Sequence, residues 1–200
     1  MNAQFCRVTM ICCLFTAMPF AASGQEQKPQ PKTSDQSPAS TQPAPAPTPQ
    51  ARPQDMDTPE HILAAVYDCI SGPAGPRDWN RFRSLFYSGA RLISSGRAPS
   101  GAIGARGVTV DEYAKLAQDY FTKQGFFENS VANRTESWDL IAHVWSTYES
   151  RHAAGEKPFE RGINSFQLFN DGKRWWIMTI YWEGEDDAHS VPPKYLSGGR

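Results

Sequence analysis

The strongest pattern of hydrophobic and polar positions lies at residues 161–185. Two runs rich in Ile, Phe, Trp, Tyr and Thr flank the polar stretch 170–173, Asn-Asp-Gly-Lys. Asp-Gly favours the backbone of a tight turn, so this pattern predicts a β-hairpin. Large apolar residues occupy both faces of the second run: Trp176, Met178, Ile180 and Trp182 on one, and Trp175, Ile177, Thr179 and Tyr181 on the other. A strand exposed on one side would alternate cleanly, so both faces are expected to be covered.

Helical spacing dominates the preceding part of the chain. The stretch 57–60, Asp-Thr-Pro-Glu, is typical of a helix start, and apolar residues at helical spacing follow over 62–70. The Gly- and Pro-rich stretch 72–76 ends this helix, and a second short helix is predicted over 78–86. A third helix is predicted to open at Thr109 or Asp111 and to end near Gly125.

The remaining segments favour strands. We expect a short strand over 90–94, followed by a glycine-rich loop over 95–107. Residues 126–135 and 138–151 are predicted to pair through a tight turn at Glu136-Ser137. Three helices followed by a meandering antiparallel sheet, with the helices on one face, define an α+β fold.

The N-terminus has the features of an export signal. Arg7 precedes the apolar run 8–20, and the small residues Ala21-Ala22-Ser23 suit cleavage by a signal peptidase. The run is shorter than the ~20 residues of a membrane-spanning helix, although an uncleaved anchor is the alternative. We therefore predict a signal peptide at 1–23, no membrane span after cleavage, and a periplasmic or secreted protein.

Residues 24–56 form a Pro- and Gln-rich segment with almost no large apolar side chain. Such a segment buries too little apolar surface to offset its ordering entropy, so a disordered linker is predicted. It is interpreted as a spacer, with a ligand for a proline-binding domain as the alternative. One folded domain is expected at 57–188 and a flexible tail at 189–200.

Charge and cysteine usage narrow the function classes. Lys and Arg number 20 against 21 Asp and Glu, and no basic stripe emerges, which argues against nucleic acid and anionic membrane partners. Loss of the signal would leave Cys69 as the single cysteine. A small buried hydrophobe is its expected role; a nucleophile or an intermolecular bridge is the alternative.

The order of elements resembles the nuclear transport factor 2-like superfamily, which includes SnoaL-type polyketide cyclases and ketosteroid isomerase. The residues that carry the resemblance are helix one from Thr58, the stretch Asp78–Phe86, Tyr113, and the stretches 141–149, 161–168 and 174–177. The resemblance covers the predicted domain and none of the first fifty or so residues. It implies three N-terminal helices packed in a strongly curved antiparallel sheet, an α+β cone around a central pocket. It also implies a homodimer through the outer face of the sheet.

The resemblance does not fix a reaction, because the superfamily contains isomerases, dehydratases, epoxide hydrolases and plain binding domains. The isomerases use a carboxylate base with a tyrosine and an acidic donor. Tyr67 is similar in position to that tyrosine, but the late strands carry no paired aspartates. The first hypothesis is a non-catalytic pocket that binds a small apolar or aromatic ligand or a protein partner. The alternative is a small lyase, isomerase or hydrolase of SnoaL-like type; neither hypothesis needs a cofactor.

Two sets of residues are candidates for the site. His143, in a predicted strand, is a candidate general base, with a core or interface histidine as the alternative. Tyr67 and Tyr113 on the helices are candidate ligand-binding residues. Glu128 starts a strand, where it is either a pocket carboxylate or an edge charge.

The second set lies in the last hairpin. Asn164 and Gln167 should face opposite ways, so at most one faces the pocket unless a bulge intervenes. Arg161 either binds ligand or forms a salt bridge with Glu149. The four histidines show no paired spacing with carboxylates, so no metal site is predicted.

Overall fold

The computed structural model describes residues 52–98 and 100–197. The predicted signal peptide and nearly all of the predicted linker therefore lie outside the described residues. The helices are α1 (Pro59–Ile70), α2 (Trp79–Ser84) and α3 (Val110–Phe121). The strands are β1 (Phe86–Arg97), β2 (Ile103–Thr109), β3 (Phe127–Trp138), β4 (Ile141–Arg151), β5 (Glu160–Asn170) and β6 (Trp175–Gly184).

The starts of the helices follow from local chemistry. The Thr58 hydroxyl accepts a hydrogen bond from the backbone N–H of His61 at 3.1 Å, and a proline occupies the first turn of α1. Asp78 caps α2 through the N–H of Arg81. Thr109 and Glu112 form a reciprocal capping box at the start of α3. The three predicted helix starts are confirmed, with the start of α3 at Thr109.

The six strands form one sheet in the order β2-β1-β6-β5-β4-β3. Neighbours pair antiparallel, except that β1 and β6 are parallel. The fold is α+β as predicted, but the expected order of elements is wrong in part. The hairpin of β1 and β2 separates α3 from the first two helices, the sheet is mixed, and it is not strongly curled.

The glycine-rich loop expected over 95–107 is largely a hairpin. Ala98 and Ala102 are joined by a backbone hydrogen bond of 2.9 Å, and Gly101 has a φ of 84° that suits the turn between them. The residues of β2 are mostly exposed, Ile103 among them, so the pairing of β2 with β1 rests on backbone hydrogen bonds rather than on a hydrophobic pattern. The turn expected at Glu136-Ser137 lies instead at Asp139, whose φ is 49°.

The predicted hairpin of β5 and β6 is confirmed, and a bulge explains its mixed faces. Thr179 pairs with Gln167 and Ile177 pairs with Leu168, which leaves Met178 as the extra residue. Trp175 and Ile177 therefore face the helices before the bulge, and Ile180 does so after it. The expected strict alternation along β6 is broken at Met178, and one side of the strand leaves Tyr181 45% exposed.

The core lies between the helices and one face of the sheet. Its most completely buried large side chains come from α1, α2, α3 and the central strands: Ile62, Phe82, Leu85, Phe121, Phe166 and Ile177. Cys69 is buried within it, as expected for a small hydrophobe, and burial raises the pKa of its thiol to about 12. Both properties keep this thiol from acting as a nucleophile.

Both predicted ends of the folded domain need correction. Met56 belongs to the core, and the buried Asp55 carboxylate receives hydrogen bonds of 2.8 and 3.0 Å from Arg81, so the packed part begins before Asp57. The segment expected to be a flexible tail packs on β4. The Thr147 hydroxyl donates to the backbone oxygen of Tyr195 at 2.6 Å, and Tyr195 lies against Trp145.

Candidate functional site

A cavity of about 60 Å³ lies between the three helices and the inner face of the sheet. This is well above the ~10–15 Å³ that one water molecule needs, so the cavity holds several water-sized groups. Most of its wall is apolar. The apolar lining includes Val66, Ile70, Phe82, Leu92, Phe166 and Ile180.

Alternation along β4 brings polar side chains into this apolar wall. Val144 lies in the core, and the residues two, four and six positions further on point to the same face of the strand. These residues are Ser146, Tyr148 and Ser150, and all three are buried. Tyr148 and Ser150 reach the cavity, whereas Ser146 supports it from behind.

Glu128 is fixed by the junction between α1 and β3. Beyond the end of α1, Gly72 exchanges two backbone hydrogen bonds with Phe126, at 2.7 and 3.0 Å. The Ser71 hydroxyl accepts from the N–H of Glu128 at 2.9 Å and donates to its carbonyl at 3.0 Å. These contacts set the start of β3, so the Glu128 side chain lies at the cavity beside Ser150.

A continuous hydrogen-bond network links Glu128 to α1. Its carboxylate accepts from the Ser150 hydroxyl at 2.8 Å and, more weakly, from the Asn164 amide at 3.4 Å. The same amide nitrogen donates to the Tyr67 hydroxyl at 3.1 Å. Tyr67 is in turn 2.8 Å from the Ser146 hydroxyl. One helix and three strands thus hold these groups in fixed positions.

A second carboxyl group, Glu160, lines the same cavity. The Tyr148 hydroxyl donates to its Oε1 at 2.7 Å. Space for this pair comes from two glycines, since a Cβ on Gly184 would lie 2.9 Å from Glu160 Oε1 and one on Gly162 would lie 2.7 Å from the Tyr148 hydroxyl. The two glycines therefore allow a carboxyl group and a phenol to sit against adjacent strands.

Replacing Gly162 by alanine should disturb this site. The new Cβ would also overlap the backbone oxygen of Glu183, which cannot move without shifting β6. We expect a loss of about 1–3 kcal/mol in the free energy of unfolding, the usual range for overpacking a filled interior. Urea denaturation measures it, and Gly96→Ala on β1, where a Cβ meets no atom within 4 Å, is the matched control. An equal effect of both substitutions would contradict the prediction.

The cavity shifts the titration of its acidic groups. Burial raises the pKa of Glu128 to about 7; the Glu160 carboxyl adds to this, and the hydrogen bonds from Ser150 and Asn164 oppose it. Burial also raises the pKa of Glu160, against the hydrogen bond from Tyr148. The phenols of Tyr67 and Tyr113 have raised pKa values, first because of burial and second because of the Glu128 charge.

Four of the predicted site residues meet at this cavity: Tyr67, Tyr113, Glu128 and Asn164. Glu128 faces the cavity, as its interpretation as a pocket carboxylate requires, and it also lies on the edge strand β3. Its role in ligand binding stays a prediction. Asn164 is buried and faces the cavity, whereas Gln167 is exposed, as their strand positions required.

His143 and Arg161 lie on the opposite face of the sheet, so both are wrong as cavity residues. His143 alternates with the buried Ala142 and Val144, and its Nε2 is 3.1 Å from the Ser165 hydroxyl. Arg161 donates to Glu149 at 3.0 and 2.6 Å across the β4–β5 pair. The alternative role for Arg161, a salt bridge with Glu149, is therefore confirmed.

The sequence analysis missed Glu160, Tyr148, Ser150 and Trp182. The polar residues at alternate positions of β4 were a usable signal, because they continue the face that Val144 places in the core. Glu160 had no such signal. It is the first residue of β5, and only the pairing of Ser150 with Glu160 across the sheet brings it to the cavity.

An open groove of about 640 Å³ adjoins the cavity and shares Tyr67 and Glu128 with it. Arg151 borders this groove, but its guanidinium is held by Glu149, by the Asn129 side-chain oxygen at 2.8 Å and by the Glu156 backbone oxygen at 2.9 Å. Glu128 is thus placed between an enclosed space and the protein surface.

Within residues 52–98 and 100–197, no group of three His, Cys, Asp or Glu side chains is arranged to hold a metal ion. No helix in these ranges is both long and apolar enough to cross a membrane.

Comparison with known proteins gives the fold alone. No family model matches the sequence, and no curated protein matches it. A protein of unknown function with a cystatin-like fold from Nostoc punctiforme is similar in structure, with a TM-score of 0.50 and 10% identity over 64% of this chain and 89% of that chain. An NTF2-like protein of unknown function from Shewanella baltica gives a TM-score of 0.43 and 12% identity over 64% and 94% of the two chains.

The chain has an NTF2-like, cystatin-like fold. This agrees with the superfamily resemblance, although the strongly curved, wholly antiparallel sheet that it implied is not found. Identities of 10–12% carry no information about substrate, so the function has to be argued from the NTF2-like cavity itself.

Proposed function

We propose that the NTF2-like domain binds a small molecule in the cavity between its helices and its sheet. The observation that carries this proposal is the hydrogen-bond network from Glu128 through Asn164 to Tyr67, which faces a cavity with aromatic walls. Ligand sites commonly combine an apolar wall with a few fixed polar groups. Burying polar groups costs free energy, so such a network is not expected where apolar side chains could fill the core.

The size of the cavity limits the ligand. A volume of about 60 Å³ accepts a short apolar body with one polar group, or the end of a longer molecule. Trp182 and Tyr113 both line the cavity, and their rings lie 6.4 Å apart in an edge-to-face arrangement. A larger ligand would require these rings to move.

The test is a screen of small molecules by NMR. Binding in the cavity should shift the Asn164 side-chain amide and the Trp182 indole signals. The indole of Trp138, which is 79% exposed on the β3–β4 hairpin, is the control within the same molecule. Native mass spectrometry of the purified chain should show co-purified ligand. Shifts confined to Trp138, with no copurified molecule, would contradict the proposal.

A second candidate function is proton transfer by Glu128, the lyase or isomerase alternative. The observation in its favour is a carboxyl group with a pKa of about 7 that faces the cavity near Tyr113. Such a base should catalyse deuterium exchange at the α-carbon of small ketones in D₂O, with a rate that rises as pH passes 7. Glu128→Gln should abolish the exchange, and Glu136→Gln, at an exposed position of the same strand, should leave it unchanged.

We infer from residues 1–23 that the protein is exported, with the domain acting in the periplasm or outside the cell. The supporting feature is the apolar run at 8–20 followed by small residues. Mass spectrometry of the protein recovered from the host should give a mature N-terminus near Gly24. A protein that retains Met1 would contradict the proposal.

We also infer a homodimer through the outer face of the sheet. Trp138, Ile141, Phe169 and Trp176 are successive cross-strand partners and form a row on this face. The first two are 79% and 57% exposed, an apolar surface that is typical of an interface.

Light scattering at tens of micromolar protein should give twice the chain mass if this row is an interface. Replacing Trp138 and Ile141 by serine should give a monomer. Leu116→Ser, at an exposed apolar position on α3, is the control. A monomeric parent chain would contradict the proposal.

A further inference from the structure

The hydrogen-bond donors around the cavity are already used within the protein. Ser150 donates to Glu128, Tyr148 donates to Glu160, and Asn164 donates to Tyr67 and Glu128. By contrast, the second carboxyl oxygen of Glu160 and the hydroxyl of the deeply placed Tyr113 have no hydrogen-bond partner among the described residues. An ionised carboxyl oxygen only accepts and a phenol hydroxyl can also accept, so both groups can bind a ligand that brings donors.

The charged residues that line the cavity favour the same kind of ligand. Its lining includes Glu128 and Glu160 but, among the described residues, no Lys, Arg or His. The other titratable groups that face Glu128 are the phenols of Tyr67, Tyr113 and Tyr148. In the adjoining groove, Asp68 is a further acid, and Arg151 is held by Glu149. Two partly buried carboxyl groups without a basic partner in the cavity favour the arrival of a positive charge.

Aromatic rings complete the wall of this acidic space. Rings from all three helices, from β4, β5 and β6 and from Phe126 line it: Tyr67, Phe82, Tyr113, Phe126, Tyr148, Phe166 and Trp182. The face of such a ring attracts cations, and sites for alkylammonium groups combine aromatic rings with carboxylates. The same rings accommodate a short alkyl chain.

We propose that the ligand is a small organic cation, an ammonium group on a short apolar body, held by Glu128, Glu160 and Tyr113. This inference rests on the proposed ligand-binding function and names its ligand class. The ammonium N–H groups donate to the unpartnered acceptors, the charge compensates the two carboxylates, and the apolar body lies against Phe82 and Ile180. A neutral alcohol of the same shape can donate only one hydrogen bond and carries no charge.

Isothermal titration of the purified chain at pH 8 tests the ligand class with matched probes. The probes are n-butylammonium, 1-butanol as its neutral counterpart, butyrate as an anion and potassium chloride at equal ionic strength. We expect n-butylammonium to bind at least about tenfold more tightly than 1-butanol, with no binding of butyrate or of potassium. Tetramethylammonium, which lacks N–H donors, should bind more weakly than n-butylammonium if the unpartnered acceptors contribute.

Variants separate this inference from the underlying function. Glu128→Gln and Glu160→Gln should each weaken n-butylammonium binding by about tenfold or more and leave 1-butanol binding unchanged. Glu136→Gln on the exposed part of β3 is the control, and near-ultraviolet circular dichroism checks that each variant is folded. Equal or tighter binding of 1-butanol would overturn the cationic ligand class but keep the pocket function. Failure of every probe in both titration and NMR would overturn both.

Discussion

Phe121→Ala is expected to lower the free energy of unfolding by about 3–5 kcal/mol, the usual cost of deleting a large buried aromatic ring. Phe121 is 1% exposed and joins three parts of the fold. Its ring stacks on Trp79 of α2 at 6.1 Å and on Phe126 at 5.0 Å, and the Arg77 guanidinium lies over it at 4.9 Å. The neighbouring rings of Trp79 and Phe126 are themselves packed in the core and can close the space only in part, so the cavity term should be large.

Urea denaturation monitored by tryptophan fluorescence gives this number. Phe159→Ala is the matched control, because Phe159 is 40% exposed and its main contact is a stacked ring of His152 at 4.2 Å. It should cost no more than about 1–2 kcal/mol. Comparable losses from the two substitutions would show that α3 is not an essential part of the core.

The parts of the fold that the sequence predicted are those fixed by local chemistry. Helix starts follow from side chains that cap free N–H groups, and Thr58, Asp78 and Thr109 identify them without tertiary information. The turn at Asp171-Gly172 is local in the same way. Gly172 has a φ of 85°, and the Asp171 carboxylate accepts hydrogen bonds from the N–H groups of Lys173 and Arg174.

Long-range pairing was the part that local patterns missed. β2 has no hydrophobic alternation, so its pairing with β1 could not be inferred from the sequence. The parallel pairing of β1 with β6 joins residues some ninety positions apart, and no local rule specifies it. At Met178 a single extra residue shifts the alternation of β6, so that Trp175 and Ile177 face the helices before it and Ile180 faces them after it. Strict alternation in the sequence therefore assigned these residues to the wrong faces.

The candidate site shows the same division. Tyr67, Tyr113, Glu128 and Asn164 were predicted from residue type and from their elements, and they meet at one cavity. His143 was predicted because a histidine can act as a general base. Its neighbours Ala142 and Val144 are apolar and occupy the inner face of the strand, which places His143 on the outer face. For a residue in a strand, the burial of its neighbours thus predicts whether it faces the cavity better than its own residue type does.

The second large effect we expect is a stability that falls as pH rises from about 4.5 to 7. Glu128 has an ordinary pKa of 4.5 that burial raises to about 7 in the folded chain. Between these values the folded protein binds a proton that the unfolded chain has lost, so the slope of unfolding free energy against pH is negative. The full difference, about 2.5 pKa units, corresponds to about 3–4 kcal/mol and is fully developed above pH 7. The raised pKa of Glu160 acts in the same direction.

Glu128→Gln should remove most of this slope, because an amide keeps the hydrogen bond from Ser150 and carries no charge at any pH. The variant should therefore be more stable than the parent chain at pH 8 and nearly equal to it at pH 4.5. Urea denaturation across this range measures both, with Glu136→Gln as an exposed control on the same strand. A parent chain whose stability rises from pH 4.5 to 8 would show that Glu128 is already ionised in the fold. In that case a cation or water would have to compensate it, and neither the proton-transfer function nor the raised pKa would stand.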